Sequence, residues 1–81
     1  MATRKLINSV LYMATQNKVV DAEVARNVFT HRIEKNGPAY VQNSIMRTVR
    51  SLVNRGLMER VERGSYRLTK SGRNFAKKTS Y

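Results

Sequence analysis

The fold of this chain is decided by residues 37–72, GPAYVQNSIMRTVRSLVNRGLMERVERGSYRLTKSG. Apolar residues in its first half recur at i, i+4 and i+8, which is the spacing of an amphipathic helix. The apolar side consists of Val41, Ile45, Val49, Leu52 and Val53. Proline is tolerated in a first helical turn, and glycine supplies the left-handed residue after a helix end. We therefore predict a helix that starts at Gly37-Pro38 and stops at Gly56, called the central helix below.

The opposite side of the central helix is polar and cationic. It carries Tyr40, Asn43, Arg47, Arg50, Ser51 and Asn54, with Ser44 at its edge. This side contains no carboxylate, and it therefore suits an anionic partner. Gln42 falls nearer the apolar side, so a structural role fits its position as well as a binding role does.

After the central helix the periodicity changes to that of a β-hairpin. Residues 57–62 and 65–69 are short runs that contain Val, Tyr and Thr, and Arg63-Gly64 between them is typical of a tight turn. Because side chains alternate along a strand, we expect Tyr66 and Leu68 to face inward. The hairpin is then surrounded by Arg60, Arg63 and Arg67.

The segments before the central helix predict two supporting helices. Thr3 can cap a first helix that ends near Gln16-Asn17. Val19-Val20 can pair briefly with the hairpin, and Asp21 is a good N-cap for a second helix. The buried side of that helix is expected to consist of Ala22, Val24, Ala25, Val28 and Phe29.

Residues 30–37 allow two interpretations. Either the second helix continues through Ile33, or this segment is a loop that points toward a partner. The loop would carry His31, Arg32 and Lys35. We expect the longer helix.

The C-terminal residues predict a last short helix followed by a tail. Residues 69–72 offer an N-cap for a helix that runs through Phe75. The polar, basic tail, about residues 77–81, either frays or adds phosphate contacts through its two lysines.

This order of elements resembles a winged helix-turn-helix domain. The resemblance is carried by LVNRGLMERV at residues 52–61 and GSYRLTKSG at residues 64–72, and the order of elements covers nearly the whole chain. It implies a mainly α fold with a small β-hairpin: a three-helix core, a two- or three-stranded wing sheet and a short C-terminal helix. It also implies that the third helix enters the major groove while the wing lies along the backbone or minor groove, and that a homodimer forms. Residues 30–37 exceed the short turn of the simplest helix-turn-helix.

Length and charge restrict the class of protein. The 81 residues have room for a single domain, residues 1–81, with a modest core. Sixteen Lys and Arg against five Asp and Glu give a net charge of +11, of which residues 41–81 hold +8. This distribution favours nucleic acid as the partner, although basic proteins also bind anionic membranes or acidic proteins.

No arrangement of residues predicts catalysis. His31 is the only histidine and cysteine is absent, whereas a zinc site needs several nitrogen or sulfur ligands. The five carboxylates show no catalytic pairing, and there is no glycine-rich phosphate loop. We expect no enzyme, no metal and no cofactor. No apolar run approaches the roughly 18 residues of a membrane span, and no secretory signal is present, so we expect a cytoplasmic protein, nucleoid-associated if prokaryotic.

The main hypothesis is a sequence-specific double-stranded DNA-binding protein, a small transcriptional regulator that represses by occupying an operator. Asn43 and Arg47 are the first candidates for base contacts, because Asn pairs bidentately with adenine and Arg with guanine. The second choices are Tyr40, Gln42 and Ser44. The candidates for backbone and wing contacts are Arg50, Asn54, Arg60, Arg63, Arg67, Lys70 and Arg73.

Two alternatives share the same charge. One is a protein-interaction module that docks on an acidic surface of a polymerase or nuclease, with Tyr40 and Met46 as anchors. The other is RNA binding or nonspecific DNA coating, although the chain lacks the closely spaced aromatic residues of a stacking platform. A homodimer would use the first or last helix, through Tyr12 or Phe75.

Overall fold

The computed structural model describes residues 4–78 and is mainly helical, with a small antiparallel β-hairpin. Its elements in chain order are α1 (Arg4–Gln16), α2 (Ala22–Val28), α3 (Thr30–Asn36), a π-helical segment (Val41–Ile45), α4 (Met46–Asn54), β1 (Met58–Glu62), β2 (Ser65–Leu68) and α5 (Lys70–Lys78). The expectation of a mainly α fold with a small β-hairpin is confirmed. The predicted cap at Thr3 lies outside the described residues.

The core lies between α1 and the central helix, which consists of the π segment and α4. Val10, Leu11, Ile45 and Val49 are fully buried there, and each buried side chain of this size stabilises the fold by roughly 1.5–3 kcal/mol. The hairpin and α5 close the core with Met58, Leu68 and Ala76. The predicted apolar side of the central helix is confirmed, except that Val53 is only partly buried.

The second helix differs from the prediction because it ends at Phe29 and a separate helix follows. Phe29 has φ −100° and ψ 32°, so it is both the C-cap of α2 and the N-cap of α3. This bend turns the Phe29 side chain into the core, where it is 5% exposed, and leaves Val28 47% exposed. The prediction that Val28 is buried is therefore wrong. Residues 30–36 are helical, so the loop interpretation is wrong as well.

Asp21 and Gly37 mark the ends of this pair of helices. The Asp21 carboxylate accepts a hydrogen bond from the Val24 N–H at 2.9 Å, which confirms the predicted N-cap. Gly37 ends α3 with a φ of 92°, a conformation that glycine adopts without steric cost.

The first turn of the central helix is wider than an α-helical turn. The Met46 N–H donates to the Val41 carbonyl, an i→i+5 bond that defines a π turn. This wide turn carries Met46 around to the side of Val41, and Met46 is only 4% exposed. The prediction that Met46 lies near the helix surface is therefore wrong.

The central helix ends as predicted, at Gly56. The Gly56 N–H donates to the Val53 carbonyl at 3.0 Å, and the Leu57 N–H donates to the Leu52 carbonyl at 2.9 Å. With a φ of 78° at Gly56, these two bonds form a Schellman motif. The motif sets the direction in which the chain enters the hairpin.

The hairpin has the predicted turn at Arg63-Gly64, and Gly64 has a φ of 79°. Tyr66 and Val20 exchange two backbone hydrogen bonds, of 2.7 Å and 2.9 Å, which confirms the brief pairing of residues 19–20 with the hairpin. Leu68 is buried and Tyr66 is partly buried against the core, as predicted from the alternation of side chains.

Thr69 ties the end of the central helix to the start of α5. Its hydroxyl donates to the Gly56 carbonyl at 2.7 Å and accepts from the Gly72 N–H at 3.0 Å, which confirms the predicted N-cap. Its backbone N–H donates to the Leu57 carbonyl at 3.1 Å. α5 continues beyond Phe75 to Lys78, so residues 77 and 78 belong to the helix. The rest of the predicted tail, residues 79–81, lies outside the described residues.

Substitution of Thr69 by valine is expected to lower the free energy of unfolding by about 1–2 kcal/mol, because the side chain loses both hydrogen bonds while its shape is kept. Urea unfolding followed by circular dichroism measures this effect. Thr69→Ser retains the hydroxyl and is the matched control, with an expected change below about 0.5 kcal/mol. Equal destabilisation by both substitutions would contradict the prediction, because serine keeps the hydroxyl and its two hydrogen bonds.

Candidate nucleic-acid interface

The polar side of the central helix is open to solvent. Gln42, Asn43 and Arg47 are exposed, as are Arg50 and Asn54 further along. Asn43 and Arg47 lie about one turn apart, so their side chains emerge on the same side of the helix. Gln42 is exposed, although the sequence pattern places it nearer the apolar side.

Tyr40 is held at the start of this surface by Arg32. The Arg32 Nη1 donates to the Tyr40 hydroxyl oxygen at 3.1 Å, and Tyr40 is partly buried against the core. The Tyr40 hydroxyl can therefore still donate a hydrogen bond through its own proton, while the bond from Arg32 restrains the side chain. Ser44 is also partly buried, and its carbonyl accepts from the buried Thr48 hydroxyl at 2.7 Å.

The three predicted arginines of the hairpin point in different directions. The strand register pairs Arg60 with Tyr66 on one face of the hairpin and Arg67 with Glu59 on the other, and both arginines are exposed. Arg63 lies exposed at the turn. The arginines therefore surround the hairpin, as the alternation of side chains predicts.

Arg67 carries an ion pair on the outward face. Its Nε lies 2.6 Å from the Glu59 Oε1, and the two side chains are 56% and 47% exposed. Exposed pairs of this kind contribute roughly 0.2–1 kcal/mol, so this pair restrains Arg67 only weakly. Within residues 4–78, no other Lys or Arg side chain pairs with a carboxylate at 4.0 Å or less.

Three of the predicted backbone contacts come together beside the hairpin. Arg67, Lys70 and Arg73 line one cleft together with Glu59. The cleft exists because Thr69 starts α5 directly after β2, which places the first turn of that helix against the strand. The cleft is therefore lined by three cationic side chains from β2 and α5 and by one carboxylate, that of Glu59.

The hairpin cannot swing freely relative to the central helix. Its base is attached through Leu57 to Leu52, and through Thr69 to Gly56 and Leu57. β1 also packs against α4. The exposed side of the helix and the arginines of the hairpin are therefore parts of one rigid assembly.

Two basic residues contribute in ways that the sequence patterns did not reveal. Arg55 is exposed at the end of α4, between the central helix and the hairpin, and extends the cationic surface. Its position directly before Gly56, at the predicted end of the central helix, is the sequence feature from which this location could have been predicted. Arg32 acts through Tyr40, and no local pattern indicates a contact between residues eight positions apart in different helices.

Residues 4–78 form neither a metal-binding cluster nor a membrane-spanning helix. No three His, Asp or Glu side chains in this range lie together in a way that would hold a metal ion. No helix in the described part of the chain has the length and apolar character required to cross a bilayer.

Comparisons with known proteins give no relative for this chain. No protein-family model matches it, and no curated protein and no solved structure matches it significantly.

Proposed function

We propose that this chain is a sequence-specific double-stranded DNA-binding protein with a winged helix-turn-helix fold, and that it acts as a small transcriptional repressor. The observation that carries the proposal is the carboxylate-free, exposed side of the central helix, which is rigidly joined to a hairpin surrounded by arginines. In this arrangement the central helix enters the major groove and the hairpin is the wing, on the backbone or in the minor groove.

The packing of the first helices supports the proposal. α2 contacts the π segment of the central helix, as the two helices of a helix-turn-helix do. α3 occupies the connection between them, so the turn is longer than in the simplest version. α1 packs against α4, β2 and α5, and α5 packs against β2, so these two helices complete the scaffold.

The candidate residues divide into two roles. Asn43 and Arg47 have the chemistry for direct base contacts and emerge from the same side of the helix. Gln42 joins them, because it is exposed. The cations beyond them contact phosphates, which position the protein without discriminating between sequences. These are Arg50, Arg60, Arg63, Arg67, Lys70 and Arg73, with Asn54 as a polar contact.

A homodimer would extend the recognised site. One small domain contacts only a few base pairs, whereas a two-fold dimer binds two half-sites about 34–36 Å apart. The candidate dimer contacts are Phe75 on α5, which is 39% exposed, and Tyr12 on α1, which is 48% exposed. Phe75 is the better candidate, because Tyr12 lies beside Lys5 and Arg32, which repel a second cationic copy. Such a repressor acts where the DNA is, which is the nucleoid in the cytoplasm if the cell is prokaryotic.

Selection of bound duplexes from a random pool, followed by sequencing, tests the proposal. We expect a consensus that contains adenine and guanine positions, and two-fold symmetry if the protein binds as a dimer. Absence of any enriched sequence, with uniform salt-sensitive binding, would overturn sequence specificity and favour a nonspecific nucleic-acid binder. Docking on an acidic protein through Tyr40 and Met46 has less support, because Met46 is buried.

Substitution of Glu59 by glutamine is expected to strengthen DNA binding, because it releases Arg67 from its ion pair and removes a negative charge. Glu62→Gln is the matched control, since it removes the same charge from the same strand without releasing an arginine. We expect the gain for Glu59→Gln to exceed that of the control by about 1.5- to 5-fold at low salt, and to shrink as salt rises. Fluorescence anisotropy over a salt series measures both. Equal gains would show that Arg67 does not contact the DNA.

A further inference from the structure

A groove lies between α1 and the bend that joins α2 to α3, and none of the proposed DNA-contacting residues lines it. Its volume is about 720 Å³, within the range of ligand and peptide sites. Its lining combines apolar and basic side chains and includes no carboxylate. The lining includes Lys5, Tyr12, Val28, Phe29, His31 and Arg32.

The bend at Phe29 creates the apolar part of the groove. It sends Phe29 into the core as a floor and leaves Val28 47% exposed at the edge. Tyr12 is 48% exposed across from it on α1. Lys5 and Tyr12 are seven residues apart, which places them on the same side of α1. An apolar strip between two helices is the shape that receives the apolar side of a third helix.

Arg32 is organised to receive a carboxylate in this groove. Its guanidinium lies 5.8 Å from the centre of the Phe29 ring, and one N–H is used by the Tyr40 hydroxyl. A guanidinium has five N–H donors, so others remain for an incoming acceptor. Because the two contacts already fix the side chain, less rotational entropy is lost when a carboxylate binds.

We propose that this groove binds an acidic amphipathic peptide segment of a partner protein. The apolar residues of the peptide pack on Tyr12 and Val28, and its carboxylates pair with Arg32 and Lys5. A second copy of this chain is a poor occupant, because each copy carries a net charge of +11 and would bring its own cations to the groove. Duplex DNA is also a poor occupant, because it offers no apolar helical face for Val28. The inference does not depend on DNA binding by the central helix.

The test uses the full chain and a short fluorescein-labelled peptide with Leu at positions i, i+4 and i+7 and Glu elsewhere. A scrambled peptide of the same composition controls for net charge. We expect Val28→Glu to weaken binding of the patterned peptide about tenfold or more, because it places a carboxylate at the apolar edge. Val61→Glu is the matched control: Val61 lies on the hairpin and is 46% exposed, so the change of charge and the exposure are nearly the same. Its affinity should stay within about twofold of the unsubstituted chain.

A second pair of variants tests the guanidinium. Arg32→Gln should also weaken the patterned peptide, whereas Arg26→Gln removes the same charge from an exposed position of α2 outside the groove and should not. Circular dichroism checks that each variant is folded. If the scrambled peptide bound equally well, the interaction would depend only on net charge, and the proposal would be overturned. Amide chemical-shift changes centred on Asn43 and Arg47, rather than on Val28 and Arg32, would place the peptide elsewhere and overturn it as well.

Discussion

Substitution of Arg47 by alanine is expected to remove discrimination at one base position of the selected duplex, at a cost on the order of 1–3 kcal/mol, or roughly 5- to 150-fold in affinity. Arg47 is exposed, lies one turn from Asn43 and forms no ion pair within residues 4–78, so its planar fork is available to a guanine edge. The loss should be specific: affinity for random DNA should fall far less than affinity for the selected sequence.

Arg63→Ala provides the matched comparison. It removes the same side chain from the hairpin turn, where we expect a phosphate contact. This variant should weaken all sequences by a similar factor and reduce the slope of log affinity against log salt by about one. Anisotropy titrations of both variants, on the selected duplex and on a duplex mutated at each guanine, separate the two roles. If the two variants lose affinity equally on specific and random DNA, the assignment of roles is wrong.

The fold of Arg47→Ala should not change. The side chain is exposed, and alanine has the highest helix propensity, so the free energy of unfolding should stay within about 0.5 kcal/mol. A loss of affinity can then be attributed to the missing guanidinium. A large drop in stability would instead show that Arg47 supports the fold.

The features that were predicted correctly from the sequence are those set by short-range chemistry. Gly56 ends the central helix because the chain must adopt a positive φ there. Gly64 likewise supplies the positive φ that the hairpin turn requires. Asp21 and Thr69 cap helices through hydrogen bonds to residues three positions away. Each of these signals is contained in a few neighbouring residues, so no knowledge of the packing is needed to see it.

The features that were missed depend on packing between distant residues. A helical wheel assumes a constant turn, and one π turn between Val41 and Met46 is enough to bury a side chain that the wheel leaves outside. No glycine or proline marks the bend at Phe29, and the burial of the Phe29 ring that accompanies it depends on packing against the core. The hydrogen bond between Arg32 and Tyr40 likewise depends on how α3 lies against the central helix. For this reason the central helix surface could be predicted, whereas the groove beside α1 could not.

Substitution of Gly72 by alanine is expected to lower the free energy of unfolding by about 3 kcal/mol. Gly72 is buried in α5, and an added Cβ would overlap the carbonyl oxygen of Leu57 and lie 2.8 Å from its carbonyl carbon. The overlapping atoms are backbone, so the clash is relieved only if α5 moves away from the base of the hairpin. The same Leu57 carbonyl accepts the hydrogen bond from the Thr69 N–H, and this movement would also break that bond. Urea unfolding followed by circular dichroism measures the loss.

The sign of the stability change on Gly72→Ala shows whether α5 lies close against Leu57. Gly72 does not have a positive φ, so alanine there would stabilise the helix by about 1 kcal/mol if space were available. Ser71→Ala is the matched control: it lies next to Gly72 in the same helix but is exposed, and we expect it to be neutral or slightly stabilising. If Gly72→Ala proved as stable as this control, α5 would not lie close against Leu57. The cleft that brings Arg67, Lys70 and Arg73 together would then lose its structural basis, because the start of α5 is what places Lys70 and Arg73 beside the hairpin.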